Sequence, residues 1–183
     1  MGKNKMMKFV GEKGKYDVFD IGRGKAAMHN RNKPQQDNDR FVFIVSMKDV
    51  NELEGIEKAT RKTRGEKSIY AYMQNKEKET TLLHRKVVGL EKGVGKGYEV
   101  HHAREYEGLQ KSLNNSRTNL FILNKDEHRT VHKKEKEWGW NKTKKFLEMR
   151  DERNRQDLGL MCREDFLRDE EVEGDLPDFF VEA

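Results

Sequence analysis

One cysteine, Cys162, is the whole thiol content of the 183-residue chain. That excludes an internal disulfide framework and any cysteine-based zinc knuckle. No apolar run approaches the roughly 20 residues that a bilayer-spanning helix needs. The opening stretch MGKNKMMKFVGEKGK has the charge of a signal peptide but not its apolar stretch. Gly2 is followed by Met at position 6, where a myristoylation signal has Ser or Thr. A soluble, cytoplasmic protein with no membrane partner is therefore expected. Bulky apolar residues are scarce too. Leu, Ile, Val and Phe number 39 of 183, close to the lower limit for a packed domain. With 39% of residues charged, any core is small, and two small units are favoured over one large one. The Gly-rich EKGVGKG (91–97) lacks the GKS/T ending of a phosphate-binding loop, so it reads as a flexible turn. There is no internal repeat.

What the chain does have is charge, unevenly spread. Residues 151–183 hold 4 Lys+Arg against 12 Asp+Glu, a net of −8, while residues 1–150 carry a net of +13. A basic body suits a polyanionic partner, although many basic surfaces are only solvated. The acidic stretch REDFLRDEEVEGDLPDFFVEA at 163–183 reads as weakly ordered, with a solubilising role or a moderating one on polyanion binding.

Along the chain, residues 1–40 are polar with strand-like pieces such as YDVFDI, and NRNKPQQDND (30–39) is a loop. RFVFIVS (40–46) is a strand rich in aromatic and β-branched residues. MKDVNELEGIEKATRKT follows as a short helix capped by Asp49, with Val50, Leu53 and Ile56 on one face. SIYAYMQ (68–74) and TTLLHRKVVGL (80–90) read as hairpin strands joined by NKEKE. NLFIL (119–123) is a buried strand. Asn124 with Glu127 makes a capping box for a helix reaching about Trp138, and a second helix, NKTKKFLEMRDERNRQ, follows Trp-Gly-Trp.

Four of the six histidines lie between residues 98 and 138: His101, His102, His128 and His132. On the capped helix His128 and His132 are four apart and share one face, so two imidazoles can reach one ion. His101 and His102 end a strand, where neighbouring side chains point to opposite faces. One can turn to the ion while the other is left to act as a base. Each pair alone is a weak signal: a solvated face explains the helix pair better than an ion does, and a lone His-His is equally ordinary. His84, read as lying in a strand, is a packed or hydrogen-bonded histidine. Trp138 and Trp140 close the helix onto the core.

The combination is more specific than its parts. A strand ending His-His, a loop of about 16 residues, Asn119 opening a strand, and a capped helix bearing His-x-x-x-His together resemble the HNH endonuclease motif, the ββα-metal fold. The double histidine with the helix pair is most similar to colicin nuclease domains. Upstream, LLHRKVVGL, the Gly-rich loop, YEVHH and LNNSRTNL resemble the free-standing HNH homing endonucleases of phages and introns. There His101 stands where that family often has Asp, and His102 matches the general base. His128 and His132 depart from that family's pattern, which opens the choice of metal more than the chemistry.

The resemblance implies an α+β protein in three parts: a β-rich module at 1–97 that supports the motif, an HNH motif at 98–140, and a C-terminal helix with an acidic tail at 141–183. It implies a metal-dependent endonuclease that nicks or cuts double-stranded DNA, of homing or other phage-encoded type and acting in an infected host cell. A nonspecific toxin-like or packaging-associated nuclease is the alternative, as is a DNA-binding protein with a structural metal site. His102 and Asn119 would be catalytic, the amide of Asn119 fixing the loop that carries the base. His101, His128 and His132 would hold one divalent ion: Mg2+, Mn2+, Ni2+, Co2+ or Zn2+. Arg85, Arg104 and Arg117 are candidates for bidentate phosphate contacts. The target sequence and oligomeric state are not legible.

Overall fold

A computed structural model of the chain describes residues 7–31, 42–52, 70–74, 80–90, 93–105 and 111–168. The protein is α+β. Strands β1 (Lys8–Lys13), β2 (Tyr16–Gly22), β3 (Lys25–Asn30) and β4 (Val42–Ser46) form an antiparallel meander. Alternation along them puts Tyr16, Val18, Ala26, Met28, Phe43 and Val45 on one face, where they meet Ala71, Leu83 and Leu113 in a common core. The polar sequence of residues 8–30 thus forms more sheet than its composition suggests, because only every second residue has to be apolar. A fully buried side chain of the size of Phe43 contributes about 1.5–3 kcal/mol.

The expected hairpin of 68–74 with 80–90 is found only in part. β5 (Tyr72–Gln74) pairs antiparallel with β6 (Thr80–Leu82), and the NKEKE turn lies outside the described residues, as do Ser68 and Ile69. Residues 83–87, expected as strand, are instead helix α1 (Leu83–Val87). Leu83, Val87 and Val88 recur at helical spacing, burying their side chains in two adjoining cores. Gly89 then stops the helix with φ +84, and the amide of Leu90 reaches back to the carbonyl of Arg85 at 2.8 Å. Over so short an apolar run, strand and helix periods look alike.

The helix expected from Met47 onward is a 3-10 turn at Met47–Glu52; Leu53 and Ile56 lie outside the described residues. Asp49 has a different partner from the cap expected of it. Its buried carboxylate takes a bidentate ion pair from Arg117.

β7 (Tyr98–His102) and β9 (Leu120–Asn124) form an antiparallel pair with His101 opposite Phe121 and His102 opposite Leu120. β9 is apolar over its first four residues because both its faces are covered. Leu120 and Ile122 join Val88, Leu90, Val100 and Phe166, while Phe121 and Leu123 join Val131 and Leu147. Helix α2 (Lys125–Asp157) begins with the capping box expected of it: the Asn124 side chain accepts from the amides of Asp126 and Glu127, and Glu127 accepts from the amide of Asn124. It is broken at Gly139 (φ 69, ψ 170), so two helical segments meet at the Trp-Gly-Trp. Trp138 packs on Phe146 with ring centroids 5.2 Å apart.

The second segment of α2 lies along the open edge of β9. Asp151 accepts from the amide of Ile122 at 2.6 Å and Asn154 donates to its carbonyl at 2.9 Å. Polar side chains thus satisfy an edge that would otherwise invite another strand. Arg155 and Arg163 bind the same Asp151 carboxylate at 2.8 and 2.6 Å. Arg163 opens the short helix α3 (Arg163–Leu167), whose Phe166 is buried. The start of the acidic C-terminal stretch is therefore helical, where weak order was expected; residues 169–183 lie outside the described residues. Among the described residues no helix is long and apolar enough to cross a membrane.

The two strand systems are joined. β8 (Asn114–Asn115) lies in the loop between β7 and β9 and adds to the meander, parallel to β4, with Ile44 opposite Asn114 and Val45 opposite Asn115.

Candidate metal centre and the histidine behind it

The pleat of β7 separates its two histidines. His101 faces α2, where His128 and His132 stand one turn apart, and the three rings approach edge to face with centroids 4.6–5.2 Å apart. One ring nitrogen from each lies within 4.8 Å of the others, close enough to serve one ion. His101 is 2% exposed, and its Nε2 is buried without a hydrogen-bond partner. A buried polar atom without a partner costs stability unless something occupies it. His132 is exposed, so the cluster opens to solvent on that side.

Burial disfavours the charged form at two of the three rings. Burial, helped by repulsion from His128, His132, His102 and Lys111, pushes His101 down to about 2. Burial and His132 lower His128, partly offset by Glu99. Neutral imidazoles are the form that binds a metal. Glu99 sets the tautomer of His128: its Oε2 lies 2.5 Å from His128 Nδ1, leaving Nε2 to face His132 Nε2 at 3.1 Å. Sequence reasoning missed Glu99, although period-2 alternation from His101 puts it on the same face of β7.

His102 lies on the other face of β7. Burial drives its ring down to about 4, and a hydrogen bond to Asn115 (Nε2 to Oδ1, 3.2 Å) opposes that shift. His84 meets it edge to face, ring centroids 4.9 Å apart at 89°. His84 sits on α1 rather than in a strand, and burial lowers it well below its ordinary value.

The side-chain hydrogen bonds of Asn119 go to loop backbone rather than to His102. Its Oδ1 accepts from the amide of Arg104 at 2.8 Å, and its Nδ2 donates to the carbonyls of Arg104 and Asn114 at 3.2 and 2.9 Å. It thereby pins together the two ends of the loop that leaves β7 and returns to β9. These bonds fix the backbone of that loop.

Two of the three arginines expected as phosphate contacts are taken up inside the protein. Arg85 donates to the carbonyls of Leu90, Val94 and Tyr98 at 3.1–3.2 Å, bracing the Gly-rich turn into β7. Arg117 binds Asp49 and the carbonyl of Phe166, with its guanidinium over the Phe166 ring. Both therefore have structural partners: Arg85 places three of its five N–H groups on carbonyls, and Arg117 is engaged by a carboxylate and a carbonyl. Arg104 stacks 3.7 Å from the ring centre of Trp140. No protein-family model, curated protein or solved structure matches the chain.

Proposed function

We propose that the chain is a metal-dependent HNH-type endonuclease that hydrolyses phosphodiester bonds in double-stranded DNA, of the free-standing, phage-encoded kind. The observation that carries this reading is the sorting of histidines by the β7 pleat. Three imidazoles converge on one side, and a fourth, buried and lowered to about 4, is held on the other. A purely structural ion site has no use for the fourth. The antiparallel pair of β7 and β9 followed by the first segment of α2 supports reading this region as a ββα-metal motif.

The residues present fit a divalent ion: three nitrogen donors, one of them a buried unpartnered Nε2, and a carboxylate orienting a second. When bound, such an ion supplies charge neutralisation at the phosphate and at the departing 3′ oxygen. His102 accepts the proton of the attacking water as the new O–P bond forms and the P–O3′ bond breaks. Asn119 holds the loop after His102 in place, and Glu99 fixes the orientation of His128. The net charge of +13 on residues 1–150 supplies the attraction to DNA.

Incubation with supercoiled plasmid and each divalent metal tests the reading. Nicking that a chelator abolishes and His102→Ala removes is expected. Absence of nicking with every metal, in a protein that binds metal stoichiometrically, rejects it.

A further inference from the structure

We infer that Asn115 is the positioning residue of the general base: its side-chain amide holds His102 as the Nε2–H tautomer, so that Nδ1 is the atom that takes the proton. Only the role of His102 as base rests on the nuclease reading; the tautomer does not.

The amide of Asn115 has one orientation that satisfies its surroundings. Asn115 is fully buried, and its Nδ2 donates to the carbonyl of Leu113 at 3.2 Å. Turning the amide over would set Oδ1 against that carbonyl, acceptor against acceptor, so Oδ1 is the atom that faces His102. Oδ1 cannot donate. The 3.2 Å contact therefore requires a proton on His102 Nε2. A neutral imidazole carries one proton, which leaves the lone pair on Nδ1.

The amide itself is held from a distance. Asn115 belongs to β8 and pairs with Val45 in the parallel ladder beside β4. Val45 is completely buried in the core formed by Tyr16, Phe43 and Met28. The tautomer of a histidine on β7 is thus set by a different sheet. The β-rich N-terminal module accordingly supplies a rigid mount for the residue that orients the base. His84 closes the perpendicular approach to the same ring and limits its rotation.

The test uses the full chain with 15N-labelled histidine. Long-range proton–nitrogen correlation spectra report which ring nitrogen carries hydrogen, and His102→Gln identifies the His102 signals by their loss. In the wild type, His102 is expected as the Nε2–H form. Asn115→Leu keeps the shape and removes the acceptor. It should give mixed tautomers and a kcat about 10–100-fold lower, with KM and metal affinity unchanged. Asn115→Asp retains an acceptor and should keep the Nε2–H tautomer, while its second oxygen, facing the Leu113 carbonyl, lowers stability. If Asn115→Leu does not fold, the wild-type spectrum and Asn115→Asp still decide. A wild-type His102 protonated on Nδ1 overturns the proposal, as does an Asn115→Leu protein with unchanged tautomer and kcat. An Nε2–H tautomer in a protein that nicks no DNA supports the placement by Asn115 and rejects the nuclease reading alone.

Discussion

The carboxylate of Glu99 lies 2.5 Å from Nδ1 of His128, and the next residue on the same face of β7 is His101. One strand therefore supplies both a candidate ligand and the group that orients a second ligand on the facing helix. A carboxylate in this position accepts the Nδ1 proton and raises the basicity of Nε2. Glu99→Gln keeps the size and loses the charge. It is expected to weaken binding of Ni2+ or Zn2+ by about 10–100-fold, with the fold intact, as read by calorimetric titration. Unchanged affinity would mean that the contact only stabilises the metal-free protein.

The two sides of β7 should separate in kinetics. His102→Ala is expected to retain metal affinity while the cleavage rate falls by about 10²–10⁴-fold, the usual range for loss of a general base. His101→Ala and His128→Ala should lose affinity instead, and extra metal should partly restore cleavage. Three imidazoles also favour Mn2+, Ni2+ or Co2+ over Mg2+, which prefers oxygen ligands, so activity should appear at lower concentrations of the transition metals. Zn2+ should bind tightly. Metal titrations of the three variants beside nicking rates at saturating metal check both points. Loss of metal in His102→Ala with retention in His101→Ala would reverse the roles.

Legibility in the sequence followed the range of the interactions. The strand ending at His102, the capping box at Asn124 and the helical pairing of His128 with His132 depend on neighbours within a few residues, and each was readable. So was the break at Trp-Gly-Trp, since glycine between two bulky residues interrupts a helix cheaply. What was not readable depends on contacts between distant segments. Arg117 and Asp49 are 68 positions apart, and nothing local tells an engaged guanidinium from one available to phosphate. The Thr80–Leu90 stretch misled for another reason: Leu, Val and His suit either period over so short a run, and the positive φ at Gly89 decides for a helix. Asn115 lay hidden in an Asn-rich loop, because its role exists only once β8 has joined β4.

Arg117 offers a direct check of its structural role. Its side chain is 15% exposed and that of Asp49 3%, so removing one partner strands the other in a dry setting. Arg117→Ala should lower the unfolding free energy by about 3–5 kcal/mol, read from the urea midpoint. At a temperature where the variant is folded, the salt dependence of its DNA binding should match the wild type. A shallower salt slope at unchanged stability would instead put Arg117 on the phosphate backbone.

Acid should unfold the metal-free protein through its histidines before its carboxylates. Burial holds His101 down to about 2 and His102 to about 4, and lowers His84 and His128 as well, whereas in the unfolded chain each titrates near 6.5. The unfolded state therefore binds more protons than the folded one throughout the interval below 6.5. The stability these groups contribute is complete above that pH and declines as pH falls, until each folded-state value is reached. Every such imidazole withdraws up to about 1.4 kcal/mol per pH unit across its interval. For His102 the decline runs from about 6.5 to about 4, and for His101 it continues to about 2. Urea midpoints measured from pH 7.5 to 4.5 should fall steeply below 6.5. In His102→Gln the slope should be shallower, because one titrating group is gone. A midpoint flat between pH 7.5 and 5 would show that these rings are protonated at no cost, and that the cluster is neither neutral nor ready for a metal.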